Sequence, residues 1–203
     1  MILDHLRCLY LHGFRSGPSS VKAQQTLSYF AELDASQRLH IPQLPPEPRL
    51  AIEQAQFIYE QMIDEVGQEH CLVIGSSLGG YYASYLVEHY GGRAALINPA
   101  VRPYELLTDY LGENQNMYDD TRFNVTEDYI AELKALDVTQ LRFPQRHLLL
   151  VKTQDETLDA SQAIVKYQHG PCVIDAGGDH SYENYEERLP TILNFAMGHF
   201  DRG

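Results

Sequence analysis

The stretch Cys71-Leu72-Val73-Ile74-Gly75-Ser76-Ser77-Leu78-Gly79-Gly80-Tyr81-Tyr82 joins a short apolar run to a helical pattern through Gly-x-Ser-x-Gly. The run has strand length and no polar alternation, which reads as a buried strand, and Leu78–Tyr90 reads as the helix that follows. A turn this sharp accepts only small residues two before and two after the serine, because a side chain at either place strikes the adjoining strand or helix. Ser77, not Ser76, therefore takes the apex. A strand, turn and helix of this kind present a hydroxyl at the C-terminal edge of a parallel sheet, where sites form.

Outward from this unit, further apolar runs occur at Cys8–Leu11, Leu39–Ile41, Ala94–Ile97, His147–Val151 and Cys172–Ile174. They predict short, fully buried strands. Helical patterns over Ser20–Leu33, Leu50–Val66, Leu78–Tyr90, Ala160–Tyr167 and Tyr182–Met197 separate most of them. Alternating strand and helix predict an α/β fold: a doubly wound, mostly parallel six-stranded sheet with helices on both faces. One domain spanning residues 1–203 accommodates the pattern, except for residues 101–146. That stretch is too long for a connection, has helical patches near Tyr104–Leu111 and Glu127–Leu136, and is expected to form a short helical cap. The Pro42–Pro48 segment reads as a stiff strand-to-helix loop.

A serine hydroxyl is a weak nucleophile until a base takes its proton and a carboxylate orients that base. Both partners follow in the required order. The strand His147–Val151 leads into Lys152-Thr153-Gln154-Asp155-Glu156-Thr157-Leu158-Asp159, and Cys172–Ile174 leads into Asp175-Ala176-Gly177-Gly178-Asp179-His180-Ser181. Asp155 and His180 thus fall on neighbouring loops at the site edge. Glu156, adjacent to Asp155, should point away in the same turn, and Asp159 suits the N-cap of the next helix. The loop after the fourth strand reads Asn98-Pro99-Ala100, and an amide cannot stabilise an imidazolium as an anion can. For an oxyanion, the Leu78 N–H is one expected donor and the Phe14 N–H, on the His12-Gly13-Phe14 turn, the second.

Composition sets outer bounds. Fifteen Lys and Arg against 28 Asp and Glu give a formal charge of −13, with 44% hydrophobic residues. A soluble globular protein is indicated, and nucleic acid or an anionic membrane surface is a poor partner for it. Met1–Tyr10 carries Asp4, His5 and Arg7 where a secretory leader needs apolar residues, and no membrane-spanning run occurs, so the chain reads as cytoplasmic. Cys8, Cys71 and Cys172 are odd in number and far apart, which reads as buried free thiols rather than a disulfide or metal site. Neither Gly-x-Gly-x-x-Gly nor a phosphate loop ending in Gly-Lys-Ser/Thr occurs, which disfavours a nucleotide-binding domain.

Taken together, these residues resemble the α/β-hydrolase superfamily, and within it the small bacterial YqiA-like esterases. The resemblance is carried by Tyr10–Phe14 with Ser16, Pro18 and Lys22-Ala23, by Ile41–Pro46, Gly75–Ala83, Asn98–Pro103 and Glu105–Gly112, by Gln154-Asp155-Glu156 with Leu158-Asp159, and by Gly177-Gly178 with His180. It implies a serine esterase acting on small-molecule acyl esters or thioesters, needing no cofactor and no metal, with a triad of Ser77, Asp155 and His180. His12 stands where the resemblance leads one to expect Gln, and Asp179 where one expects Asn. His12, Tyr81, Tyr104 and Tyr110 are the expected substrate-pocket residues, since tyrosine offers an apolar face with a polar tip. An acyl-CoA thioesterase, another acyl hydrolase and a catalytically silent scaffold are the competing readings.

Overall fold

In a computed structural model, residues 5–199 are described; Met1–Asp4, part of the N-terminal stretch read for a leader, lie outside them. Six strands form one sheet: β1 (Arg7–Leu11), β2 (Leu39–His40), β3 (Cys71–Ser76), β4 (Arg93–Ile97), β7 (His147–Lys152) and β8 (Cys172–Asp175). Their order is β2-β1-β3-β4-β7-β8, and every pairing is parallel. The chain adds β2 on one side of β1 and all later strands on the other, so the switch in direction falls between β1 and β3. Crevices open at that point in doubly wound sheets.

Continuous apolar sequence marks the central strands, as a sheet covered on both faces requires. All of β3 is buried, and so are Leu148–Val151 of β7. At the margins the expectation of full burial fails. Leu39–His40 and Cys172–Asp175 are only partly covered, because each has a neighbour on one side alone. Cys8 and Cys71 are buried, Cys172 is half-buried, and all three are free thiols.

Helices α2 (Pro48–Val66), α3 (Leu78–Tyr90) and α6 (Ala160–Tyr167) cover one face; α1 (Val21–Glu32) and α7 (Leu189–Ala196) cover the other. In α2, Ala51, Ile52, Ala55, Tyr59 and Met62 recur at helical spacing and turn inward, with Pro48 in the first turn, where its missing N–H costs nothing. Each such large apolar side chain contributes roughly 1.5–3 kcal/mol by leaving water. The last helix is shorter than its sequence pattern. Tyr182 and Asn184 have positive φ (60° and 61°), which breaks the run, and a 3-10 turn over Tyr185–Arg188 precedes α7.

The cap over residues 101–146 departs from the helical expectation. It contains a short α4 (Pro103–Leu106), a 3-10 turn at Leu107–Tyr110 and α5 (Glu127–Ala135), but also an antiparallel hairpin of β5 (Gly112–Gln115) and β6 (Arg122–Val125). The hairpin is tied to the loop after β1. Met117 N–H donates to Arg15 O at 2.8 Å, Asn116 Nδ2 to Ser16 O at 2.8 Å, and Arg15 Nε to Gln115 O at 2.9 Å. No helix among the described residues is long and apolar enough to cross a membrane.

Candidate active site

Ser77 lies at the C-terminal end of β3 with φ 55° and ψ −118°, a strained conformation for a residue with a side chain. The surroundings enforce it. Ser77 N–H donates to Ile97 O at 3.0 Å, and Ser77 O accepts from Gly80 and Ala100 at 3.0 and 3.1 Å. A Cβ on Gly75 would meet Gly79 O at 2.3 Å, and one on Gly79 would meet Leu11 O at 1.9 Å, so the two glycines are sterically required.

His180 reaches Ser77 from the loop after β8. Its Nε2 lies 3.2 Å from Ser77 Oγ, and its Nδ1 lies 2.8 Å from Asp155 Oδ2. The other oxygen, Asp155 Oδ1, accepts the Thr157 and Leu158 N–H groups, each at 2.8 Å. The Asp155 side chain is 1% exposed and that of His180 25%, so the carboxylate is sealed while the imidazole faces solvent. The loops are stitched together beneath this contact: Thr153 N–H donates to Asp175 O, Gln154 N–H to Gly177 O, and Gly177 N–H to Thr153 Oγ1. An imidazole held between a hydroxyl and a carboxylate can accept the hydroxyl proton while the carboxylate stabilises the resulting cation.

Two side chains hold the His180 backbone without touching the ring. Asn98, at φ 40°, donates from Nδ2 to the carbonyls of Asp179 (3.0 Å) and His180 (3.2 Å), while its Oδ1 accepts the Lys152 N–H at 2.9 Å. Glu156 does not point away as the sequence suggests; its Oε2 accepts the His180 N–H at 2.9 Å. Asp159 Oδ1 accepts the Ser161 N–H at 2.9 Å, capping α6. Asp179 is occupied with Ser181 Oγ at 2.6 Å.

Leu78 follows the serine at the start of α3, and Gly13 packs against it: a Cβ there would lie 3.2 Å from Ser77 Cβ and 3.7 Å from Oγ. Phe14 itself packs edge-on against Tyr110 and Phe123 of the cap, with ring centroids 5.4 and 5.7 Å away. A cavity of about 440 Å³ opens onto Ser77 and His180, bordered by Lys22, Gln25, Tyr118 and Glu156. A narrow slot of about 50 Å³ adjoins it beyond Phe14, beside Leu78, Leu44 and Phe123. Among the described residues, no group of three or more His, Cys, Asp or Glu side chains is arranged to hold a metal ion.

The expected pocket residues require correction. Tyr81 is fully buried and donates its OH to Leu133 O at 2.6 Å, fastening the cap to α3. Tyr104 donates to Asp137 Oδ2 at 3.0 Å and borders a different cavity, between the cap and α6. Tyr110 is exposed and meets the site only through the Phe14 ring. None of the three borders the cavity over Ser77. His12 borders the narrow slot, but its ring is spent on backbone: Nδ1 lies 3.0 Å from Gly13 O, and Nε2 accepts the Leu44 N–H at 3.1 Å. These partners fix the neutral ring, and burial lowers its pKa in the same sense.

The family described as "Uncharacterised protein family (UPF0227)" matches residues 7–197. The chain belongs to the UPF0227 family. A UPF0227 protein of Serratia proteamaculans (strain 568) is 23% identical over 189 residues, covering 92% of this chain and 97% of the relative. One from Klebsiella pneumoniae (strain 342) is 26% identical over 191 residues, covering 92% and 97%. Among solved structures, Est1E of Butyrivibrio proteoclasticus with bound ferulic acid superposes with a TM-score of 0.64 at 14% identity, covering 96% of this chain and 89% of Est1E. A monoacylglycerol lipase of Paleococcus ferrophilus does so with a TM-score of 0.62 at 14% identity, covering 95% and 94%. The fold of this UPF0227 member is that of the α/β hydrolases.

Proposed function

We propose that this UPF0227 protein is a serine esterase that hydrolyses small-molecule acyl esters through Ser77, His180 and Asp155. The observation that carries the reading is the unbroken series of contacts from Ser77 Oγ through His180 to Asp155, at 3.2 and 2.8 Å, on a serine with φ 55°. The esterase and lipase names of its structural neighbours agree with it.

Ser77 Oγ attacks the ester carbonyl as His180 Nε2 takes its proton, and the Leu78 and Phe14 amides receive the negative oxygen of the tetrahedral intermediate. Collapse breaks the carbon–oxygen bond to the alcohol, which leaves with the proton from His180, and the acyl group stays on Ser77. Water then attacks the acyl-enzyme, gives one proton to His180, and releases the carboxylic acid as Ser77 recovers its own. Asp155 keeps the imidazole in the tautomer with Nδ1–H and stabilises the imidazolium that forms twice per turnover.

The test is a panel of p-nitrophenyl esters and acyl-CoA thioesters of graded length, on the native protein and Ser77→Ala, with fluorophosphonate labelling alongside. Turnover of oxygen esters and labelling, both lost in Ser77→Ala, are expected. Labelling without ester turnover but with thioester turnover would make it a thioesterase, and no labelling at all a silent scaffold.

A further inference from the structure

The cavity over Ser77 holds a cation that the chemistry above does not use. Lys22, in the first turn of α1, borders the same cavity as Ser77 and His180. Its Nζ donates to Ser181 O at 2.8 Å, a neutral carbonyl, and no carboxylate among the described residues lies within ion-pairing distance of it. Other cations near carboxylates behave differently: Arg142 is paired with Glu88, Lys152 and Arg188 with Asp175, and Lys166 with Asp137. In a chain with 28 acidic residues against 15 basic ones, this lysine at the edge of the site has carboxylates near it but none within ion-pairing distance.

Two further features make the position unfavourable for an ammonium held by a neutral carbonyl. Burial disfavours its charge, and the pKa falls to about 8 even though Asp179 and Asp155 act in the opposite direction. The first turn of α1 contains no acidic residue, and the positive end of a helix repels a cation. An anion arriving beside Nζ would relieve both. The cavity as a whole is not cationic, since Glu156 and the exposed Glu183 also border it, so recognition depends on contact with Lys22 rather than on a general field.

Resting on the esterase reading, we propose that Lys22 is a specificity residue that binds an anionic group, carboxylate or phosphate, on the leaving-alcohol part of the substrate. The side is set by mechanism. His180 must deliver its proton to the leaving oxygen, so the alcohol lies in the lobe that His180 and Lys22 share. The natural substrates are then acidic esters, in which the charge rests on the alcohol released and not on the acyl group transferred.

A matched pair tests this: the acetate ester of 4-hydroxybenzoate against the acetate ester of 4-hydroxybenzamide, assayed by acetate release with native protein, Lys22→Met and Lys22→Arg. The expected result is that the ratio of kcat/KM, anionic over neutral, falls by about tenfold or more in Lys22→Met, chiefly through KM for the anionic ester. Lys22→Arg, which keeps the charge, should restore most of the ratio. An equal loss on both esters would mean that Lys22 only supports the His180 loop through Ser181, and an unchanged ratio would mean that it binds no anion. Either result overturns the proposal while fluorophosphonate labelling of Ser77 leaves the esterase reading standing. Unlabelled Ser77 with neither ester cleaved overturns both.

Discussion

Replacing Asp155 with Asn removes one charge and almost no volume, yet the hydrogen bonds dictate how the amide must sit. Oδ1 already accepts two backbone N–H groups at 2.8 Å, from Thr157 and Leu158. An NH2 group turned toward them would set donor against donor, so the amide oxygen keeps that place and Nδ2 faces His180. Nδ1 of the imidazole must then become the acceptor. Its proton moves to Nε2, 3.2 Å from Ser77 Oγ, where an acceptor is needed. The wrong tautomer together with a missing counter-charge should lower kcat by about 10³–10⁴-fold, or roughly 4–5.5 kcal/mol of barrier. The assay is steady-state hydrolysis of p-nitrophenyl acetate, with circular dichroism and melting temperature to show that the loop has kept its fold. Asp159→Asn, four residues on and engaged only in capping α6, should keep its activity. Activity of Asp155→Asn within tenfold of native, in a folded protein, would refute the reasoning.

Ser77→Ala and His180→Ala should each lose about 10³-fold or more in ester hydrolysis, while Ser76→Ala keeps most of it, as parallel kinetic assays on folded protein will show. Gly79→Ala should fail to fold or lose more than about 3 kcal/mol in urea unfolding, because its methyl group would sit 1.9 Å from Leu11 O of the neighbouring strand. Tyr81→Phe should cost about 1 kcal/mol of stability, the loss of its bond to Leu133 O, with ester hydrolysis intact. Burial lowers the pKa of His147 and His12 from 6.5, so the unfolded chain takes up their protons first as pH falls. Stability should be full above that value and decline as pH drops through it, and His147→Gln should soften the decline in melting temperature between pH 7 and 5.

The core of the fold was readable wherever the signal is local. Cys71–Ile74 is continuously apolar because both faces of the sheet are covered, and Gly75 and Gly79 stand where backbone leaves no room for a Cβ. The closeness of Asp155 and His180 to Ser77 also follows from chain order, since all three leave the same edge of a parallel sheet. The cap hairpin was not readable. Gly112-Glu113-Asn114-Gln115 is polar, pairs only with Arg122–Val125, and carries neither β-propensity nor alternation. Nor could tyrosines be assigned from sequence, because their roles turn on where the hydroxyl finds a partner. Tyr81 finds Leu133 and Tyr104 finds Asp137, 52 and 33 positions away. Glu156 and Asn98 escaped for a similar reason: each holds backbone on a loop far along the chain, and loop register decides which carboxylate meets the ring and which the amide.

The three bonds that join the cap hairpin to Arg15 and Ser16 leave little freedom between the cover and the loop beside Ser77. Arg15 is the residue after Phe14, whose ring is itself wedged against Tyr110 and Phe123 of the cap. Any swing of the hairpin wide enough to admit a large molecule from above would pull on the Gly13–Phe14 turn that packs against Ser77. On the proposed mechanism, opening and reactivity are mutually exclusive along that route: whatever displaces the hairpin arrives at a serine without its second oxyanion donor. Traffic must run sideways, past Val21, Met117 and Tyr118 at the rim. Insertions that lengthen the hairpin tip should be harmless by this logic, whereas a single-residue slip at Gln115–Met117 would reach the Ser77 turn without altering one residue of the proposed triad.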